Sequence, residues 1–400
     1  MANNNNTKNL NVPNLRFPEF KGEWEETTLG KCVIQPLDYG MNTAAITYDG
    51  ENKYIRITDI DEQSSQYISA SPVSPAGQLL DKYIVEENDI LFARTGASTG
   101  KTYLYKKKDG KLYFAGFLIR AKIKTECNST FIFAQTKTVR YYKWVGFMSI
   151  RSGQPGINSQ EYASYRFLIP QKEEQDKIAK FLSLLDSRIE AQIKIIEDLK
   201  KLKSAVITVI FTTTNGVNYQ LKDLAKFIGG GTPSSNDSSY WSGDIPWISS
   251  SDVSEDNINK ITITRHITNE AIKKSATQIC ESPCILIVSR VGVGKVALSN
   301  ISLCTSQDFC NLTKIKCNPK FLAYQLQSIM KRKSYAVQGT SIKGITTEEI
   351  KKTGIMLPSI EKQLSIASTL SRIDTFIDVE ISILENYQKL RKYLLQQMFI

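Results

Sequence analysis

Apolar residues recur along positions 171–211 with a spacing that points to a single element. Ile178, Leu182, Leu185, Ile189, Ile196 and Leu199 follow one another at the a and d positions of a heptad, with one seven-residue step between Ile189 and Ile196. The pattern returns at 359–399 after a shift of 188 positions and without a gap, as Ile366, Leu370, Ile373, Ile377, Leu384 and Tyr387. Pro170 and Pro358 stand just before the two stretches, and neither stretch contains glycine or proline. Each is therefore predicted to be one uninterrupted helix of ~60 Å. A lone helix of this kind cannot bury its stripe. The spacing thus predicts that Ile178, Leu182, Leu185, Ile189, Ile196 and Leu199 face Ile366, Leu370, Ile373, Ile377 and Leu384 in a shared seam. Only the short TTTNGVN link follows Phe211. Antiparallel pairing would then hold two blocks at opposite ends of a rod, making the chain a pseudo-dimer in one polypeptide.

The remaining sequence forms two blocks of short strand-like runs broken by Gly, Ser and Asn turns, each with a helical segment near its end, at 131–148 and 321–333. Islands of similarity link the blocks. Trp24-x4-Leu29 matches Tyr219-x4-Leu224, and Tyr54-Ile55-x3-Asp59 matches Trp247-Ile248-x3-Asp252. Arg94-Thr95-Gly96 matches Arg290-Val291-Gly292, and Gly100-Lys101 matches Gly294-Lys295. The fold class expected is α+β: two similar domains of mixed strands and helices, separated by two long helices in an antiparallel coiled coil with pseudo-two-fold symmetry. The boundaries read as a disordered Asn-rich tail at 1–16, a first block at 17–168, a helix at 169–212, a second block at 213–354 and a second helix at 355–400.

Charge narrows the class of partner. The 400 residues carry a formal charge of +11, which suits a polyanion. No apolar run approaches the ~18 residues of a membrane span, and the polar start has no signal-peptide pattern. None of the seven cysteines forms a CxxC pair, and five of them lie in the second half, read as having no counterparts in the first. They are read as reduced thiols of a cytoplasmic protein. The single histidine, His266, sits in a strand-like stretch and reads as structural.

The chemistry-bearing candidates lie in two glycine loops. Gly96-Ala97-Ser98-Thr99-Gly100-Lys101-Thr102 follows a strand, but it is one residue short of a P-loop, and its counterpart Gly292-Val293-Gly294-Lys295 is shorter still. Both copies keep a strand, an arginine, a glycine turn and a lysine, a combination suited to phosphate contacts and guanine readout. The candidate DNA contacts are Arg94, Thr95, Gly96, Ser98, Lys101, Ser249, Ser250, Arg290, Gly292 and Lys295. A tight hairpin with solvated charges would account for the same residues. No HExxH, GxGxxG or Asn/Asp-Pro-Pro-aromatic motif occurs. The chain reads as a binder without catalytic residues, metal or cofactor of its own.

These features resemble the specificity subunit of a type I restriction-modification system, over nearly the whole chain. The resemblance begins with Pro13-x-Leu15-Arg16-Phe17-Pro18-x-Phe20-x3-Trp24. It continues through Gly230-Gly231-Thr232-Pro233-Ser234 and Tyr240-Trp241-x-Gly243-Asp244-Ile245-Pro246-Trp247, similar to the opening of a target-recognition domain. It ends with Glu174-Gln175-x2-Ile178-Ala179 at the helix start. Two departures stand out: Lys362 replaces the glutamate in the second helix, and Asp38-Tyr39-Gly40 replaces the Gly-Gly-Thr-Pro opening in the first block. The resemblance implies that each block reads one half of a bipartite, asymmetric DNA target and that the helices set the gap. It also implies two modification subunits bringing S-adenosylmethionine and adenine-N6 methyl transfer, and motor-nuclease subunits using ATP and Mg. A coiled-coil adaptor with two protein-binding lobes is the rival reading. It leaves the twin Arg/Gly/Lys loops and the basic charge unexplained. A stand-alone nuclease would need a carboxylate cluster that no motif supplies.

Overall fold

In the computed structural model, which describes residues 11–150, 154–338 and 344–400, both heptad stretches are single helices, Lys172–Thr213 and Ile360–Gln397. Their starts are fixed alike. The Gln175 amide donates back to the Pro170 carbonyl at 2.8 Å, and Gln363 does the same to Pro358 at 2.9 Å. Their Oε1 atoms accept the backbone N–H groups of Asn128 and Asn318, each at 3.0 Å. The helices pair antiparallel: partners of Asp186, Arg188, Gln192 and Lys203 on the second helix are Arg391, Tyr387, Glu380 and Asp374. No described helix is long and apolar enough to cross a membrane. The chain divides into two compact units, one with the described residues up to Ala191 together with Leu384–Ile400, the other with Gln192–Ile383.

The first unit is built on a four-stranded antiparallel sheet in the order Asp38–Tyr39, Leu118–Lys122, Asp89–Ala93, Thr102–Leu104. A separate pair, Glu25–Thr28 with Arg166–Ile169, brings the start and finish of the block side by side. Phe92, Ile119, Phe131, Phe167, Ile178 and Leu182 fill the core. Leu394 and Leu395 at the end of the second long helix, with Met398 and Phe399 just after it, complete the core. Phe399 lies 5.2 Å from Phe131 with the rings tilted by 30°, and Phe131 meets Trp24 at 5.7 Å. Each such side chain removed from water contributes about 1.5–3 kcal/mol. The long helical segment expected at 131–148 is two helices, Ser129–Gln135 and Val139–Met148. Thr138 ends the continuity by taking up the N-cap position and accepting the Tyr141 N–H.

Two sequence expectations need correcting in this unit. The tail expected to be disordered at 1–16 is structured from Asn11 onward. Leu15 donates to Gln397 O at 2.9 Å, and Arg16 forms a 2.7 Å ion pair with the buried carboxylate of Glu174. Trp24 Nε1 donates to the same carboxylate. Desolvating Glu174 requires such partners, so the start of the chain is tied to the helix. Residues 1–10 of that tail lie outside the described residues. The cysteines expected to lack counterparts include one that has one: Cys127 and Cys317 each precede the asparagine that receives the helix-anchoring hydrogen bond. Cys127 also has a neighbour that Cys317 lacks, because a hydrogen bond from Cys32 lowers its thiol to about 7, against the opposing effect of burial. Burial pushes Cys280, Cys284, Cys304 and Cys310 up instead. Iodoacetamide should therefore label Cys127 first, with a rate that rises through a midpoint near pH 7 as the thiolate forms. Peptide mass spectrometry across pH would disprove this if all seven cysteines labelled together.

The second unit repeats the plan. Lys226–Gly229, Phe309–Thr313, Cys284–Val288 and Val296–Ser299 form the sheet, in that order, and Val217–Gln220 pairs with Gly354–Leu357. The core of Ile285, Ile287, Leu312 and Phe321 takes Ile366 and Leu370 from the second long helix and Ile207 from the first. Phe211, the repeat equivalent of Phe399, lies 5.6 Å from Phe321. Here the helical segment is one uninterrupted helix, Pro319–Gln338. Lys362 stands where the first long helix has Glu174, and it is exposed; among the described residues this unit has no equivalent of the Arg16 contact.

The seam holds polar residues where the apolar spacing skips. Ile178, Leu182, Leu185, Ile196, Ile366, Leu370 and Ile377 are buried, while Ile189, Leu199, Ile373 and Leu384 are half-buried. Gln192 fills the seven-residue step and is 1% exposed. It donates to the Glu380 carbonyl at 3.1 Å and to the Glu380 carboxylate, and these two residues are repeat equivalents. About three turns on, Lys203 pairs with Asp374, whose second oxygen accepts the Tyr324 hydroxyl at 2.6 Å. The equivalent pair in the first unit is Arg391 with Asp186.

Candidate nucleic-acid interface

Both four-stranded sheets finish in the same way at one end. In the first unit, Ala93 pairs with Leu118, and Tyr39 pairs with Ile119. The register therefore brings Tyr39, Arg94 and Phe117 to one sheet end. In the second, Val288 pairs with Phe309 and Gly229 with Cys310, which brings Gly229, Ser289 and Asp308 to the equivalent end.

The glycine loops are hairpins. Ala93 N donates to Lys101 O at 2.8 Å and Gly100 N to Ala93 O at 3.0 Å; Val288 with Lys295 and Gly294 with Val288 repeat these bonds at 2.9 and 3.1 Å. A strand follows each loop, so the P-loop likeness of the first has no helix behind it. Gly100 (φ 91°) and Gly294 (φ 102°) turn the chain back, and a Cβ on them would lie 2.6 Å from Val145 Cγ1 and 2.9 Å from Ser334 Cβ. The different openings of the blocks also converge. A Cβ on Gly40 would lie 2.3 Å from Phe114 O, and one on Gly230 1.8 Å from Ser306 O. Both positions thus need glycine for a close backbone approach.

Loop register differs from the sequence alignment. Arg94 N donates to Phe117 O and Ser289 N to Asp308 O, while Arg94 O accepts from Ile157 N and Ser289 O from Ile345 N. The backbone therefore equates Arg94 with Ser289, and Arg290 falls one residue later. The missing loop residue leaves room for either placement in sequence, and only the hydrogen bonds decide.

The candidate residues fall into three groups. Arg94 is half-buried with its guanidinium 4.9 Å above the Tyr39 ring, and Arg290, Gly292 and Val291 are exposed. Thr95 bridges to Gly156, and Gly96 with Ser98 forms a half-buried 3-10 turn, Gly96–Ser98. Lys101 and Lys295 are half-buried and turn inward, donating to the carbonyls of Ile60 (3.4 Å) and Ser250 (3.3 Å) in equivalent turns. These turns carry their own charge clusters. Arg56 holds Asp59 through two 2.8 Å bonds. Arg265 lies over Trp247 at 4.5 Å and reaches Ser249 Oγ at 2.7 Å and the Asp252 carboxylate. Burial pushes the Asp252 carboxyl up, but hydrogen bonds from Ser249 and Arg265 outweigh it and hold the group below its usual range. Phe117 and Arg265 escaped the sequence reading, and Tyr39 entered it only as part of the first block's opening, since only strand register brings them to the loops. Among the described residues, no three His, Cys, Asp or Glu side chains gather as a metal site would require.

Comparison with known proteins bears on what such an end does. The sequence matches the family model described as type I restriction modification DNA specificity domain twice, at residues 39–201 and 215–386. It is 33% identical to the type I restriction enzyme MjaIX specificity subunit of Methanocaldococcus jannaschii over 190 residues, 45% of this chain and 43% of that one, so the alignment spans under half of that relative. The putative MjaX specificity subunit of the same organism aligns at 25% identity over 96% of this chain and 95% of its own length. The Escherichia coli EcoR124I/EcoR124II specificity subunit is 30% identical over 39% of this chain and 40% of its own. A crystal structure of a type I restriction-modification S subunit from M. genitalium shares the fold with a TM-score of 0.60 at 16% identity, covering 97% of this chain and 99% of that one.

Proposed function

Since the chain belongs to the type I restriction-modification DNA specificity family, we propose that each unit reads one half of an asymmetric, bipartite duplex target. The observation that carries this reading is the pair of equivalent sheet ends. Hairpin closure, inward lysine and close-packed glycine are kept in both, while the side chains at the tip differ. That is the pattern of one scaffold reading two sequences. The loops 94–100 and 289–294 approach the duplex, Lys101 and Lys295 brace the adjoining turns, and Ser249 and Ser250 border the second reading end. The blocks correspond to residues 17–168 and 213–354, and the helices set the gap between half-targets. The exposed apolar residues of the helices, among them Leu184, Leu202, Leu364 and Phe376, support docking of modification subunits. Those subunits supply S-adenosylmethionine and adenine-N6 transfer, motor-nuclease subunits use ATP and Mg, and this chain supplies no catalytic group. The compartment is the cytoplasm.

Expression with the cognate modification subunits in a host lacking adenine methylation tests this. Genome-wide mapping of N6-methyladenine should return one motif with two unlike halves separated by a fixed unspecified gap. A palindromic motif, or methylation without sequence preference, would remove the reading.

A further inference from the structure

We propose that Arg94 is a specificity-determining residue that reads a guanine in the half-target of the first unit, and that the second unit has no arginine reader at the equivalent place. This rests on the reading that the sheet ends face the duplex. Arg94 is fixed on both sides of its backbone, donating to Phe117 O at 3.1 Å and accepting from Ile157 N at 2.9 Å. Its guanidinium is stacked on Tyr39. The Tyr39 hydroxyl in turn accepts the Ser159 N–H at 3.1 Å, which holds the ring in place. Among the described residues no acceptor takes a hydrogen bond from the guanidinium. A planar fork of donors is thus held ready and unspent.

The surroundings favour a base edge over a phosphate. Phosphate contacts draw on clustered cations, whereas the loop's lysine, Lys101, is committed to the Ile60 carbonyl. The neighbours of Arg94 are instead rings: Tyr39 beneath it, and Phe117, 61% exposed, beside it on the backbone ladder. Guanine O6 and N7 in the major groove accept such a fork with both atoms, and a stacked guanidinium loses little freedom in binding them.

The second unit breaks this arrangement at every position. Gly229 replaces Tyr39, Ser289 replaces Arg94 and Asp308 replaces Phe117. The Ser289 hydroxyl is spent on the Asp308 carbonyl at 3.0 Å, and the Asp308 carboxylate accepts from Ser306 Oγ at 3.1 Å. Arg290, one residue on, is exposed, and among the described residues no ring lies under it. It is a phosphate-positioning residue.

Methylation mapping of the assembled complex tests the assignment with three variants. Arg94→Ala should relax preference at one guanine in one half-target, by about tenfold to a hundredfold, and leave the other half unchanged. Arg94→Lys, which keeps the charge and loses the fork, should relax the same position. Arg290→Ala should lower methylation at all sites without altering the motif and reduce the salt slope of duplex binding by about one. Wild-type behaviour of Arg94→Lys, or a uniform loss with an unchanged motif in Arg94→Ala, would overturn the assignment and make Arg94 a backbone contact. A wild-type complex with no sequence preference would instead remove the underlying reading and this inference with it.

Discussion

Replacing Asp374 with alanine is expected to cost the second unit about 3–5 kcal/mol, whereas the equivalent change at Asp186 should cost the first unit about 0–1 kcal/mol. The two carboxylates occupy the same place in the repeat, and each faces a basic residue across the seam. Burial separates them. The Lys203 and Asp374 side chains are 5% and 4% exposed, against 28% and 38% for Arg391 and Asp186. Removing Asp374 leaves the buried Lys203 ammonium with the Asp256 carbonyl but no counter-charge, and takes the acceptor from the Tyr324 hydroxyl. Arg391 keeps water as a substitute partner. Hydrogen exchange followed by mass spectrometry would report protection in Cys284–Val288 and Phe309–Thr313 for one variant and in Asp89–Ala93 and Leu118–Lys122 for the other. Changing both partners, Lys203→Met with Asp374→Leu, should recover most of the loss, because a packed apolar pair carries no desolvation cost. Equal, small losses of protection for both single alanine variants would show that burial does not decide the strength of these pairs.

Exchange of residues 25–169 for the corresponding block of a relative with another target should replace one half of the recognised motif and leave the other half and the gap as they were. The cut points follow from the fold. Glu25 pairs with Ile169 and Thr28 with Arg166, so the chain enters and leaves the block on neighbouring strands. Val217 and Leu357 frame the second block equally. The incoming block must present an aromatic residue where Phe131 meets Phe399, or the loss of stability will mask the change of target. Adenine methylation mapping of the hybrid complex reads the outcome. A hybrid whose two half-targets both change would show that the blocks do not read independently.

Much of this architecture is legible in sequence because the helices repeat without a gap and carry their stripe at heptad spacing. The polar members of the seam are not. Gln192, Glu380, Lys203 and Arg391 read as interruptions of an apolar pattern, and only the facing helix shows that each has a partner. The glycine hairpins are legible as loops, through glycine and a following lysine, but their register is not. One fewer residue in the second loop let arginine be aligned with arginine, while the backbone bonds place Ser289 opposite Arg94. The glycine shared by the block openings was hidden by its neighbours, Tyr39 in one and Gly231 in the other. Tyr39 and Phe117 were beyond reach for a different reason. They lie far from Arg94 along the chain and come to it only through strand pairing.

The placing of Phe399 and Phe211 sets an order on synthesis. The second unit is one contiguous stretch, Gln192–Ile383, with Phe211 supplied early from its own first segment. The first unit needs Leu394, Leu395, Met398 and Phe399, which leave the ribosome after the whole of the second unit. The block made first is therefore the block completed last. A nascent chain can close its later half while the earlier half still exposes the site around Trp24 and Phe131. A message truncated before the codon for Leu394 would yield a chain whose earlier block, and not only its later helix, lacks a finished core.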